Sequence, residues 1–167
     1  MIIPAAEKDL SDILTIYEYA RAFMKRSGNP GQWTNGNPGR EILLRDIRKS
    51  RLYLCKDAGM IYGVFAFIIG EDATYGHIEN GAWLSDAPYG TIHRIAANGV
   101  KKGVFAEVLA YCERKIPHLR IDTHRNNHIM QHLIEKHGFR RCGTIYISDG
   151  SPRIAYEKIP EGLLPVY

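Results

Sequence analysis

Apolar residues recur at helical spacing near the start of the chain. Leu10, Ile13, Leu14, Tyr17, Ala20 and Met24 fall on one face and predict a helix over residues 7–26. The pattern then breaks. Residues 27–40, SGNPGQWTNGNPGR, hold four Gly, two Pro and three Asn around a single Trp33, a turn-rich loop of the kind that is usually functional or mobile in a compact domain. A second helix follows over 41–49 with Ile42, Leu43 and Ile47 on its apolar side. Residues 51–56 read as a strand, 57–59 as a tight turn, and 60–69 as a near-continuous apolar strand buried on both faces.

Residues 77–84 are compatible with a strand that Asp86, Ala87 and Pro88 would end. A strand over 91–97 stops at Asn98-Gly99, and a helix over 103–115 buries Val104, Val108, Leu109 and Cys112. A strand over 119–124 leads to a helix over 126–137 that places Ile129, Met130, Leu133 and Ile134 inside, with Gly138 as its cap. Strands over 139–147 and 153–159 close a hairpin over residues 148–151. Strand–helix alternation in the middle implies parallel pairing there, and hairpins at both ends imply antiparallel edges. The expected fold is α/β, a mixed sheet with helices on both faces.

With 167 residues, no repeat and no low-complexity stretch, residues 1–167 are expected to form a single domain. An apolar fraction of 45% with 24% charged residues excludes fibrous and disordered classes. No apolar run approaches the roughly 20 residues that span a bilayer, so no membrane partner is expected. The N-terminus lacks the basic start and apolar core of a signal peptide, and three widely spaced cysteines fit neither a disulfide framework nor a zinc motif. The expectation is a reduced, cytoplasmic protein. The net charge of +4 falls entirely within residues 101–167. No basic run carries interleaved aromatics, so nucleic acid is not an expected partner.

The chemistry gathers in two strand–loop–helix stretches. In residues 91–115, TIHRIAANGVKKGVFAEVLAYCERK, a strand ends at Asn98-Gly99, two lysines follow, and Gly103 opens an amphipathic helix. The first N–H groups of a helix lack internal acceptors and its dipole makes that end positive, so this terminus, with Lys101 and Lys102, is a candidate anion site. Ordinary turn chemistry is the alternative reading of the same residues. The second stretch, residues 119–139, is LRIDTHRNNHIMQHLIEKHGF: a strand, an Asn-rich turn, a helix and Gly-Phe.

Taken together, the two stretches resemble the GCN5-related N-acetyltransferase (GNAT) family, which transfers an acyl group from acyl-CoA. The family's phosphate loop, Gln/Arg-x-x-Gly-x-Gly/Ala, corresponds to Val100, Lys101, Lys102, Gly103, Val104 and Phe105, and Asn127, Met130, Leu133, Ile134, Gly138 and Phe139 fill its second set of offsets. The resemblance covers about residues 2–160. It implies a mostly antiparallel sheet whose parallel middle strands splay apart. It also implies acetyl-CoA or CoA as co-substrate without a metal, with the diphosphate on the backbone of residues 100–105. The pantetheine arm would lie on the free backbone at Arg94, Ile95 and Ala96, with Asn127 also contacting the cofactor. The implied reaction is direct transfer of an acetyl or short acyl group to a primary amine, borne by a small molecule or a peptide. Oligomeric state is not legible, a homodimer being compatible.

Three positions depart from the family pattern. Val100 replaces Gln or Arg, Phe105 stands where Gly or Ala lets the backbone approach the diphosphate, and Ile134 replaces the Tyr that many members use to protonate the leaving thiolate. The first two leave backbone donors in place. The third requires an acid from elsewhere, and the departures keep open a non-catalytic CoA-binding or sensing domain. A nucleotide-binding α/β domain is a remoter reading, since no Gly-x-Gly-x-x-Gly turn is present.

The catalytic candidates follow. His93 lies within the strand before the phosphate loop and is suited to accept an amine proton, with a buried structural histidine as the alternative. Strand alternation puts it on one face with Thr91 and Ile95, opposite Arg94. Asp122 and His124 flank Thr123 on one face of the next strand, placed to orient an acceptor or carry a proton, or simply to pair with each other and Arg125. Tyr146 and Tyr156 are the phenols left to replace the missing acid, or edge-strand packing residues. Trp33 and Trp83 are candidate walls for an acceptor, or aromatic pins for irregular segments. His124, His128 and His132 are spaced by four but lack the adjacent Glu of a metalloprotease helix, so they read as a solvated face and no metal is expected.

Overall fold

The computed structural model describes residues 1–163. Its strands are β1 (Ile2–Pro4), β2 (Leu52–Asp57), β3 (Met60–Ile69), β4 (Gly90–Ala97), β5 (Leu119–Thr123), β6 (Arg140–Tyr146) and β7 (Pro152–Lys158). Its α-helices are α1 (Leu10–Arg26), α2 (Arg40–Arg48), α3 (Val104–Lys115) and α4 (His128–Lys136). The strands form one mixed sheet in the order β1-β2-β3-β4-β5-β7-β6. The β1–β2, β2–β3, β5–β7 and β6–β7 pairs are antiparallel. β4 and β5 are parallel, with Gly90–Ile92 registered on Leu119–Ile121. Among the described residues no helix is long and apolar enough to cross a membrane.

Two compact units divide the chain. The first takes residues 1–67 and 93–111; the second takes residues 68–92 and those from Cys112 onward. In the first unit, Leu10, Ile13, Ile16, Tyr17 and Ala20 of α1 and Leu43 and Ile47 of α2 pack with Leu52, Leu54, Val64, Ala66 and Ala96. Complete burial of one such aliphatic side chain contributes roughly 1.5–3 kcal/mol. Tyr53 and Phe65, paired across β2 and β3, point to the opposite face, where their rings meet Tyr111 of α3 at 5.5 and 6.1 Å. Helices therefore cover both faces. Gly63 sets the height of α3: a Cβ there would lie 3.0 Å from Val104 Cγ1 and 3.2 Å from Cys55 Cβ, so its absence seats the first residue of the helix directly on β3.

The second unit has an apolar cluster of Tyr75, Tyr89, Ile145 and Ala155, with Ile78, Trp83 and Ile147 against it. Beside it lies a polar core centred on Glu157, which is fully buried in β7. Its carboxylate meets His118 Nε2 at 2.5 Å, accepts from Arg120 Nε at 3.1 Å, and accepts from the Leu84 amide at 2.5 Å. His118 Nδ1 donates to the Pro88 carbonyl, and Arg120 Nη2 to the Ser85 carbonyl. The Arg120 guanidinium is sandwiched between the rings of Trp83 and Tyr89, 4.0 and 3.9 Å from their centroids. One carboxylate thus gathers the irregular segment 84–88 onto β5 and β7.

Several expectations change. The first helix begins as a 3-10 turn, Glu7–Asp9, before α1, and the three-residue β1 carries too little pattern to be read from sequence. Residues 77–84 do not form a strand; they meet β6 at the isolated Glu79↔Thr144 bridge. The approach there is backbone on backbone: a Cβ at Gly81 would stand 1.8 Å from the Cys142 carbonyl oxygen, and one at Gly143 2.5 Å from that of Glu79. Ile129 is 49% exposed rather than inside, because the nine-residue α4 buries a narrow arc centred on Ile134. The simple alternation expected through His93 also fails. Arg94 sits at φ +51, and His93, Arg94 and Ile95 are all partly buried.

Candidate functional site

In the first unit, β4 delivers the chain to a turn that ends in α3. The Asn98 side chain holds this turn, its Nδ2 donating to the Ile61 carbonyl at 3.2 Å and its Oδ1 accepting the Val100 amide at 3.1 Å. The Val100 amide is therefore already engaged, and its side chain is 65% exposed. Gly99, at φ +79, passes so close to α1 that a Cβ would meet Tyr19 Oη at 2.3 Å. Gly103, at φ +77, faces open space, with no atom within 4 Å of where a Cβ would be. The first helical bond of α3 runs from the Glu107 amide to the Gly103 carbonyl at 3.1 Å, so the amides of its first turn lie at the positive end of the helix. Val104 and Phe105 bury their side chains and present backbone at this end.

Lys102 is exposed, whereas Lys101 folds back. Its ammonium lies 4.5 Å over the Tyr62 ring and donates to Tyr62 Oη at 3.3 Å. Tyr62, buried on β3, donates to Glu107 in the first turn of α3, 2.7 Å from each carboxylate oxygen. Burial, and then the Glu107 carboxylate, push the Tyr62 phenol well above its usual range. A cation, a phenol and a carboxylate are thus locked around the mouth of α3. Sequence reasoning found the lysine but neither of its neighbours.

Further back on β4, the Arg94 carbonyl accepts from Tyr17 Oη at 2.6 Å, and its guanidinium Nη2 donates to Asp46 Oδ2 of α2 at 2.6 Å. Burial pushes the Tyr17 phenol well up. Trp33 meets Tyr17 edge-on, ring centroids 5.4 Å apart. The structure therefore brings Trp33 and Arg94 into one cluster through a tyrosine that periodicity had marked only as core. His93 and Ile95 flank Arg94, partly buried, and Ala96 is buried in the core beneath α1 and α2.

In the second unit, Asp122 on β5 accepts from the buried Tyr75 Oη at 2.6 Å, and the Tyr75 carbonyl accepts from Trp83 Nε1 at 2.8 Å. Tyr75 thus links Asp122 to Trp83. One face of the Trp83 ring is covered by Arg120. His124 accepts the Asn126 amide on Nδ1 at 3.1 Å, which leaves Nε2 as the protonated nitrogen of the neutral ring. Partial burial, then Arg153 and Arg125, hold its pKa below the usual imidazole value. Tyr146 donates to Glu79 Oε2 at 2.7 Å, and His77 Nε2 approaches Glu79 Oε1 at 3.0 Å. That bond to Glu79 raises the Tyr146 phenol. Tyr156 is buried, donates to Glu135 at 3.2 Å, and is pushed up to about 12, chiefly by burial.

Asn127 caps α4, its Oδ1 accepting the Met130 amide at 3.1 Å, and Ile134 is fully buried, so α4 offers no phenol where the family usually has one. His128 and His132 are exposed. Among the described residues no group of three or more His, Cys, Asp or Glu side chains is placed to hold a metal ion.

No family model and no curated protein matches the sequence. Solved structures do. An N-acetylglutamate synthase from Neisseria gonorrhoeae, complexed with coenzyme A and N-acetyl-glutamate, shares the fold at 16% identity and a TM-score of 0.61, covering 95% of this chain and 34% of its own. A GNAT-family acetyltransferase from Listeria monocytogenes 4b F2365 matches at 19% identity and a TM-score of 0.69, over 95% of this chain and 93% of its own. A GNAT-family acetyltransferase from Streptococcus agalactiae 2603 is 32% identical over 96% of this chain and 95% of its own, with a TM-score of 0.85. Likeness of backbone and of sequence, over nearly the full length of both chains, makes this chain a member of the GNAT acetyltransferase family.

Proposed function

We propose that the protein, acting as one N-acyltransferase domain over residues 1–167, moves an acetyl or short acyl group from acetyl-CoA directly to a primary amine. The observation that carries this reading is the opening of α3. Gly103 leaves its first turn unobstructed directly after β4, as a diphosphate bound by backbone amides requires. Coenzyme A suits the residues present. Gly103, Val104 and Phe105 offer backbone, Lys101 and Lys102 offer positive charge, and Val100, its amide engaged by Asn98, shapes the turn. The Neisseria synthase, which shares this fold over about a third of its own length, is complexed with coenzyme A and supports coenzyme A as the class of ligand. Arg94, Ile95 and Ala96 would hold the pantetheine arm by their backbone, with Asn127 as a further cofactor contact.

Transfer needs a neutral amine. Its nitrogen attacks the thioester carbon, a C–N bond forms, the C–S bond breaks, and a proton leaves nitrogen while the thiolate gains one. His93 is the group assigned to take the amine proton. His124, with its protonated Nε2 turned away from Asn126, is assigned as a donor to developing negative charge. Tyr146 can return a proton only by releasing Glu79. Trp33, Trp83 and Asp122 are the acceptor-side residues, Trp83 with one ring face already used.

Calorimetry with acetyl-CoA, followed by a thiol-release assay over an amine panel, tests the reading. Binding together with amine-dependent thiol release is the expected result. Binding without thiol release for any amine favours a CoA-sensing domain of the same fold, a reading the buried Ile134 supports. Absence of both overturns the proposal.

A further inference from the structure

Arg94 carries two penalties at one residue. Its backbone occupies the left-handed region at φ +51, which disfavours any residue with a Cβ. Its guanidinium, largely buried, has five N–H donors yet among the described residues makes one hydrogen bond, from Nη2 to Asp46 Oδ2, and its Nε is wholly buried with no partner among them. A pair built only to brace β4 against α2 would close both prongs of the fork on the carboxylate. Asp46 takes one. The residue is nevertheless fixed from both sides, by Asp46 in α2 and by Tyr17 in α1, with Trp33 against Tyr17. Strain and an unsatisfied buried donor, held in place by two helices, mark a group kept for a ligand.

We infer that Arg94 anchors a carboxylate of the acceptor, so that the substrate is an amine that also bears a carboxylate, of the amino-acid type. This rests on the acetyl-transfer reading above. Nε is sealed inside, but Nη1 lies outside the buried set on a side chain 21% exposed, so a planar, two-oxygen anion can take the outer edge of the guanidinium that Asp46 leaves unused. Charge points the same way. Arg94 and Asp46 form a neutral pair, and a zwitterion, neutral overall, joins it without leaving net charge buried, which a polyamine would.

The test is thiol release at saturating acetyl-CoA for α-, β- and γ-amino acids, each paired with its own carboxamide, and for spermidine. Acids are expected to exceed their amides at least tenfold in kcat/KM, with spermidine inactive. Arg94→Gln should bring the acid-to-amide ratio near one, mainly through the acceptor KM, the ratio within each variant being the readout whatever its absolute rate; Arg94→Lys, which keeps the charge but not the fork, should recover part of it. Should neither variant fold, inhibition of the wild-type protein by N-acetyl amino acids but not by their amides is the equivalent readout. Amides or spermidine used as well as acids overturn the inference, as does acetyl-CoA binding with no turnover of any carboxylate-bearing amine. Absence of both acetyl-CoA binding and thiol release overturns the acetyl-transfer reading instead.

Discussion

Tyr62 and Glu107 share one proton donor and two acceptors: the phenol lies 2.7 Å from each oxygen of the carboxylate. Without that bond the Glu107 carboxylate, left with the Met1 ammonium at 3.6 Å, would stand less well neutralised beside the amides proposed to hold a diphosphate. Tyr62→Phe should lose about 1.5–3 kcal/mol of stability, the range for a hydrogen bond to a charged group. It should also weaken acetyl-CoA binding severalfold, and adding Glu107→Gln should restore the affinity. Calorimetry on the two variants checks this, and an affinity that Tyr62→Phe leaves untouched would remove Glu107 from the electrostatics of the loop.

Gly103 separates strain from charge. Its φ of +77 makes Gly103→Ala lose roughly 1–2 kcal/mol of stability, although the space is open. Gly103→Asp suffers the same strain and adds a carboxylate facing the proposed diphosphate. Relative to the alanine variant it should bind acetyl-CoA at least tenfold more weakly. Equal affinities would mean that the diphosphate lies elsewhere.

The proton chemistry assigned to His93 predicts that His93→Gln lowers kcat at pH 7 by at least tenfold, a bound set below the range of about 10²–10⁴-fold for acid–base groups because solvent substitutes in part. Acetyl-CoA affinity should change little. Retention of the rate would leave His93 a structural residue.

Glu157 is the residue on which the second unit most depends. Replacing it with Gln breaks a buried ion-pair network, which typically destabilises by roughly 3–5 kcal/mol. The denaturant midpoint should fall accordingly, and amides in residues 84–88 should lose exchange protection first. A midpoint close to wild type would show that His118 and Arg120 find other partners.

His124 supplies a pH signature. Its folded pKa lies below the ordinary 6.5, through burial and then Arg153 and Arg125, so the unfolded chain takes up this proton first as pH falls. The native state has its full stability above that value, loses some as pH drops through it, and loses no more from this group once the folded pKa is passed. His124→Asn keeps an acceptor for the Asn126 amide and removes the titration. Its stability should fall less steeply than that of the wild type between pH 7 and 5; parallel curves would contradict the assignment.

Much of the fold is legible from local pattern, because periodicity reports which face of a segment is buried. Leu10, Ile13, Tyr17 and Ala20 place α1, Met60–Ile69 places β3, and Gly138 marks the end of α4. What escapes is set by partners distant in sequence. Nothing near Glu157 announces that it will meet His118 and Arg120, nearly forty residues away, nor that Tyr62 will face Glu107. The left-handed backbone at Arg94 has no compositional mark, since arginine is not a residue that favours it. Of the candidate site, Gly103 can be singled out by its residue type, whereas the side-chain role proposed for Arg94 depends on which donors its distant partners leave unused.

Cys55 and Cys142 are both buried, one in each compact unit, and burial pushes each thiol up to about 12. Neither offers a thiolate at neutral pH while its surroundings are intact. An alkylating reagent therefore reacts with each cysteine only at the rate its own unit opens. The chain carries two internal clocks, and mass spectrometry of the labelled peptides can read them separately.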